Sequence, residues 1–221
     1  MLCVFEKSER VRHIGHLDIM RTVGRALRRT GLPLSYSKGF SPHVLLTFAS
    51  ALSVGAVGRR ELMDVTLDED VTPEAFLAAL NAALPPEMQA SEARPLPEKH
   101  PALMAMVQGA EYELRLMDAE AADAFRAALP GFLAQAEIIT PRKTKSGVKD
   151  CDIRPLIHRL SMEGDALVAT LALTERESCK PDMLLTALSA FAGIDVPRAL
   201  VIRRRLLGLS EDGTLVPLET L

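Results

Sequence analysis

The stretch Ala110-Glu111-Tyr112-Glu113-Leu114-Arg115-Leu116-Met117-Asp118-Ala119-Glu120 decides how this 221-residue chain is organised. Residues 110–116 alternate apolar and charged side chains, which is the period of a strand. Asp118 then opens a helical pattern that runs to Leu129. The chain begins in the same way. Residues 2–7 read as a strand. Residues 16–30 place Leu17, Met20, Val23, Gly24 and Leu27 at helical spacing, and Gly31 stops the helix.

The first pattern completes itself before the second begins. Residues 44–50 and 60–67 read as strands. Thr72-Pro73-Glu74 starts a helix, with Thr as N-cap, Pro in the first turn and an acid beside it. That helix runs to about Leu84 and ends at Pro85-Pro86, and residues 87–94 return as a strand. Pro95, Pro97, Pro101 and Gly109 mark a connecting stretch. After the restart come a strand at 136–140, a basic arm at 142–160, a strand at 166–173, a helix at 181–192 and a strand at 198–207. Residues 208–221 form a tail that adds one more extended piece. The order predicts an α+β protein of two tandem ferredoxin-like (βαββαβ) units. They occupy residues 1–97 and 110–221, with 98–109 as linker. Each antiparallel sheet has one face under its two helices and one face open, and open faces of this kind commonly hold RNA or a partner.

Composition narrows the chemistry. Apolar residues make up 48% of the chain, enough for real cores, but no apolar run nears the roughly 20 residues of a membrane span. Charges arrive at Glu6 and Lys7, too early for a signal peptide, so the expected location is the cytoplasm. Cys3, Cys151 and Cys179 stand alone, without a CxxC pair, so a cysteine zinc site or iron–sulfur cluster is not expected, nor is any cofactor. No Walker loop, GxGxxG, HExxH or GxSxG motif occurs. The chain is read as leaning away from enzymes.

Charge is segregated along the chain. Residues 1–60 hold ten Lys/Arg against three acids, 61–137 hold four against fifteen, and 138–205 hold twelve against eight. Such segregation marks a polyanion-binding face on an acidic body. Four groups carry it. On the first helix Asp18, Arg21, Arg25 and Arg28 share a face, with Arg29 beside Arg25, and arginine forks suit phosphate oxygens. The loop Tyr36-Ser37-Lys38-Gly39-Phe40-Ser41-Pro42-His43 follows. Gly39 permits a positive φ there, Lys38 and His43 suit backbone or base contact, and Tyr36 and Phe40 have rings for stacking. For Phe40 the expected place is nevertheless the core, under the loop. The third group is His13, His16 and His43, read as RNA contacts or as acid and base in metal-independent RNA cleavage, with no metal assigned. The fourth is the basic arm, with Arg142, Lys143, Lys145 and Lys149 about a Lys-Ser-Gly-Val turn. Arg203-Arg204-Arg205 lies on a strand, so only part of it can face any one patch.

These residues carry a resemblance. The run His16-Leu17-Asp18-x-Met20-Arg21, then Arg25-Ala26-Leu27-Arg28-Arg29-x-Gly31-Leu32-Pro33-Leu34-x-Tyr36-Ser37-x-Gly39-Phe40-Ser41-Pro42-His43, resembles the radical-SAM-linked proteins of unknown function. So does the segment Arg142-Lys143-Thr144-Lys145-Ser146-Gly147-Val148-Lys149-x-x-Asp152-Ile153-Arg154-Pro155-Leu156-Ile157. The domain of that family stands alone or fused C-terminal to a radical SAM enzyme. The chain departs from its motif at Val44-Leu45-Leu46, where a proline and a lysine are usual. The resemblance implies a radical SAM enzyme as partner and RNA modification as context. The leading expectation is an RNA-binding accessory module that presents tRNA or rRNA to a separate radical SAM enzyme. The alternatives are a metal-independent RNA-processing endoribonuclease, and a docking module for the radical SAM partner that binds no nucleic acid. No membrane is expected as partner, and nothing in the sequence assigns an oligomeric state.

Overall fold

The computed structural model describes residues 1–97, 99–144 and 147–221, with side chains at all of these except 143 and 144. The chain divides into two units, Met1–Val107 with Arg205–Leu221, and Gln108–Arg204. Both are α+β, with mostly antiparallel strands.

The first unit runs β1 (Leu2–Lys7), α1 (His16–Leu27), β2 (Leu46–Phe48), β3 (Val57–Val65), α2 (Pro73–Ala83), β4 (Ala90–Arg94) and a single turn, α3 (Leu103–Met106). β1 pairs antiparallel with β3 and with β4, and β2 pairs antiparallel with β3, giving the order β4-β1-β3-β2. The α1 stripe that reaches the core is Ile19, Val23, Ala26 and Leu27, packed with Cys3, Phe5, Met63 and Val65 of the sheet. Leu17, expected on that stripe, points outward and is 64% exposed. α2 begins as its sequence requires, with the Thr72 hydroxyl accepting from the Ala75 N–H at 3.2 Å. The stretch expected as linker holds α3, whose Leu103 is buried, as is Val107 beyond it.

The second unit runs β5 (Gly109–Leu116), α4 (Ala119–Leu133), β6 (Ile139–Thr144), β7 (Gly147–Asp152), β8 (Ile157–Glu163), β9 (Ala166–Ala172), α5 (Pro181–Ala192) and β10 (Ala199–Leu209). The last five residues of β10 belong to the first unit, where β11 (Leu215–Pro217) pairs with them. The strand order of the second unit is β10-β5-β9-β8, with β6 and β7 forming a separate two-stranded ribbon. Leu114, Phe125, Leu167, Leu171, Leu184 and Leu188 are completely buried.

Three expectations are corrected here. The strand expected at 136–140 is not part of the main sheet; its residues 139 and 140 open the ribbon. The second strand of the unit is β8, inside the stretch read as arm. Its period is hidden by a bulge between Ile157 and Arg159, which puts Ile157 and Leu160 both in the core at an odd spacing. α4 does not stop before Pro130 but continues to Leu133. The missing proline N–H costs a helical bond, and full burial of Phe132 two residues later outweighs it.

The fourth correction decides where function can lie. The face of the first sheet away from the helices is not open. Leu2, Val4 and Leu62 on that face are 2%, 2% and 1% exposed. Residues 215–221 close over it, with Leu218 itself 1% exposed. The Arg94 guanidinium donates to the carbonyls of Glu219 and Leu221 at 3.1 and 2.6 Å. Arg60 forks onto Glu92 at 2.7 and 2.8 Å and donates through Nε to Glu219 at 2.7 Å. Truncating the buried Leu218 to Ala should therefore cost about 2–5 kcal/mol in urea unfolding. The same change at Leu209, half exposed on β10, should cost under about 1 kcal/mol. Equal losses would mean the face is not sealed by this segment.

Candidate nucleic-acid interface

After Leu27 the chain leaves α1 through a tight turn. The Thr30 hydroxyl donates to the Leu27 carbonyl at 2.6 Å, and Gly31 takes φ +72°, a conformation that favours glycine. The chain then returns along the sheet edge. Leu34 bridges to Leu67 and Tyr36 to Val44. Beyond Tyr36 a small loop is tied at its neck by two residues. The Ser37 N–H donates to the His43 carbonyl at 2.9 Å, and the His43 N–H donates to the Ser37 hydroxyl at 3.1 Å. Ser37 Oγ also lies 2.8 Å from His43 Nδ1. The tip is Lys38-Gly39-Phe40-Ser41-Pro42, and Gly39 sits at φ +134°.

Phe40 is the correction that matters most. It does not plug the core. Leu34 and Val44 are the loop's buried apolar residues, and the Phe40 ring stands wholly in solvent at the tip. Leaving such a ring in water forgoes about 1.5–3 kcal/mol of burial. Tyr36 is half exposed at the neck. His43, the expected contact residue, is fixed to Ser37, whose part as the clamp no sequence motif announces.

The cations of the first sixty residues are mostly committed. Arg10 faces Glu87, Arg12 holds Glu9, and Arg59 pairs with Glu6. Arg60 is tied as described above, and the Lys7 ammonium is buried, donating to the Arg12 carbonyl at 2.7 Å. On α1, Arg21 pairs with Asp18 at 2.9 Å, and Arg29 donates to the Ala83 and Arg25 carbonyls at 2.7 and 3.2 Å. Arg25 and Arg28 are exposed, and among the described residues neither has an ion pair. The row expected on this helix thus reduces to two uncommitted guanidinium groups and Arg21. The Arg21–Asp18 pair is an exposed i,i+3 contact of the kind worth well under about 1 kcal/mol, so a phosphate can displace it.

Of the other histidines, His13 is exposed. His16 is half buried and stands edge-on to Phe48, ring centroids 5.4 Å apart. Among the described residues no group of three or more His, Cys, Asp or Glu is placed to hold a metal. In the second unit the ribbon sets Arg142 directly opposite Lys149. Like charges facing across a strand pair repel, an arrangement suited to a polyanion. The Lys143 side chain and all of Lys145 lie outside the described residues. Arg203 is buried and Arg204 is held by Glu113 and Glu163 at 3.0 Å each, so neither belongs to a cationic patch.

A family model described as an uncharacterized protein conserved in bacteria (DUF2344) matches residues 1–182. The chain belongs to that family. No curated protein matches it. Among the described residues no helix is long and apolar enough to cross a membrane.

The thiols report on the packing of both units. Burial pushes both Cys3 and Cys179 up to about 12, so at pH 8 almost none of either is thiolate. Cys151 is only half buried. Iodoacetamide at pH 8 should label Cys151 in the folded chain while Cys3 and Cys179 stay unmodified until urea is added, as peptide mass mapping would read. Prompt labelling of Cys3 would contradict the packing of β1.

Proposed function

We propose that this chain is a non-catalytic RNA-binding module of two ferredoxin-like units, acting beside a radical SAM enzyme in the cytoplasm. The single observation that carries the RNA reading is Phe40, a fully exposed ring on a loop tied at its neck by Ser37 and His43. A fixed aromatic face in water is a stacking platform for an unpaired base. Lys38 stands two residues away, and Arg25 and Arg28 on α1 of the same unit are suited to backbone phosphates. The ferredoxin-like reading is supported by the strand orders β4-β1-β3-β2 and β10-β5-β9-β8, in each of which the first strand of the unit lies between its third and fourth. The radical SAM partner rests on the resemblance of the His16–His43 and Arg142–Ile157 motifs. With the second face of the first sheet sealed, contact with RNA falls to the loop and α1 rather than to an open sheet.

Fluorescence anisotropy with single-stranded RNA at several salt concentrations tests this. Phe40→Ala should cost about 1–3 kcal/mol of affinity and leave the salt slope unchanged, because a ring carries no counterion-releasing charge. Arg25→Ala with Arg28→Ala should lower the log–log slope by about 0.7–0.9 for each phosphate that is no longer neutralised. If all these variants bind as wild type does, the loop and helix are not the RNA site. If RNA does not bind but Phe40→Ala abolishes capture of a radical SAM enzyme, the loop is a protein-docking element. If purified chain cleaves the RNA without metal and His43→Ala stops it, the module is an endoribonuclease.

A further inference from the structure

The second unit holds a cleft that the loop of the first does not explain. It runs between the base of the ribbon, at Pro141 and Arg142, and the first half of α5. One part, about 300 Å³, is lined by Arg142, Lys180, Asp182 and Thr186. It adjoins a second part of about 240 Å³ that shares Pro141 and Thr186 and is otherwise walled by Phe132, Ile139, Thr140 and Phe191 among others.

The two parts differ in chemistry. The second part is mostly apolar, and two of its walls are left open to water, with Ile139 55% and Phe191 44% exposed. The Phe191 ring is braced edge-on by Phe132, with centroids 5.7 Å apart. It lies where a Cβ on Gly131 would meet it at 3.1 Å, so glycine there lets the ring sit against α4. Gln135, Thr140 and Thr186 are the polar residues of this part; Gln135 and Thr186 donate to backbone carbonyls, and Thr140 does not. Thr140 is 2% exposed, and its hydroxyl has no hydrogen-bond partner. A buried hydroxyl without a partner costs free energy, and a ligand in the cleft would supply one. In the first part, α5 begins with Lys180 as N-cap and no side-chain cap bond, and a helix N-terminus favours anions. Arg142 and Lys180 are two cations against the one acid, Asp182, and among the described residues Arg142 makes no ion pair.

We propose that this cleft binds a 5′-phosphorylated nucleoside. The base lies against Phe191 and Ile139 with an edge on the Thr140 hydroxyl, and the phosphate sits between Arg142 and Lys180 at the start of α5. The ligand chemistry is the same whether the nucleotide is an unpaired residue of an RNA or a free mononucleotide. The first source extends the RNA reading above, and the second stands without it. An apolar slot with a few convergent polar groups is the usual build of a small-ligand site.

Isothermal titration of the full chain with adenosine 5′-monophosphate, uridine 5′-monophosphate, adenosine and inorganic phosphate tests the cleft. Each monophosphate should bind at least about tenfold more tightly than adenosine or phosphate alone. Arg142→Ala should weaken the monophosphates about tenfold, the loss expected for one charged hydrogen bond, and leave adenosine unchanged. Thr140→Val should weaken adenosine and monophosphate alike while leaving the melting temperature equal or higher, because it removes an unpartnered buried hydroxyl. Phe40→Ala should leave mononucleotide binding intact. Absence of binding by every probe, wild-type affinity in both cleft variants, or loss of mononucleotide binding in Phe40→Ala would each overturn the site. A single-stranded RNA pentamer then separates the sources. Tighter binding than the monophosphate, abolished in Arg142→Ala, supports a nucleotide within a strand. Monophosphate binding without any pentamer binding supports a free nucleotide, and in that case the RNA reading of the loop fails while the cleft stands.

Discussion

The first unit is governed by strands that are apolar on both faces. On β1, Cys3 and Phe5 go under the helices while Leu2 and Val4 go to the other side, and all four are buried. Leu62 on β3 repeats the demand. A sheet with two apolar faces must cover both. Here α1 and α2 cover one, and residues 215–221 cover the other, held by Arg60 and Arg94. Mutual neutralisation keeps the partly exposed part of this cover in place. The Arg60 fork holds the Glu92 carboxyl below its ordinary range, so the pair stays ionised well into mild acid. With both faces occupied, the unit has only loops and helix surfaces to offer a ligand.

That constraint gives meaning to what is left outside. A long basic segment looks like a polyanion surface in sequence, yet most of its cations are used at home, by Glu6, Glu9, Glu87, Glu92 and backbone carbonyls. What remains is small and located: Arg25 and Arg28 on one helix, and Lys38 beside a bare aromatic ring. A solvated charged face needs no such ring, and a core-filling loop would not expose it. In the second unit Arg203 is buried and Arg204 is held by two glutamates, while Arg142 and Lys149 face each other across the ribbon and Lys180 stands at the start of α5.

Much of this is legible in the chain without its structure. The α2 start at Thr72-Pro73, α5 at 181–192, and the restart after the prolines follow from local rules of capping and periodicity. Four features do not, each for a physical reason. β8 is masked because its bulge breaks the alternation that marks a strand. α4 passes Pro130 because a buried phenylalanine outweighs one lost hydrogen bond. The cover on the first sheet is long-range, joining residue 2 to residue 218, and no local pattern announces it. The general habit of phenylalanine assigns Phe40 to the core, and only the Ser37–His43 clamp shows that the loop holds it out. Thr140 leaves no sequence signal at all, since an unpartnered hydroxyl is a property of packing.

The functional reading stands on Phe40 as a contact for RNA. The most direct measurement is the fluorine-19 spectrum of the chain labelled with fluorophenylalanine, with the Phe40 signal assigned from Phe40→Leu, during titration with a short single-stranded RNA. If a base stacks on Phe40, this signal alone among the seven phenylalanines should shift strongly and early. RNA binding that leaves the Phe40 signal in place, or no binding at physiological salt, would contradict it.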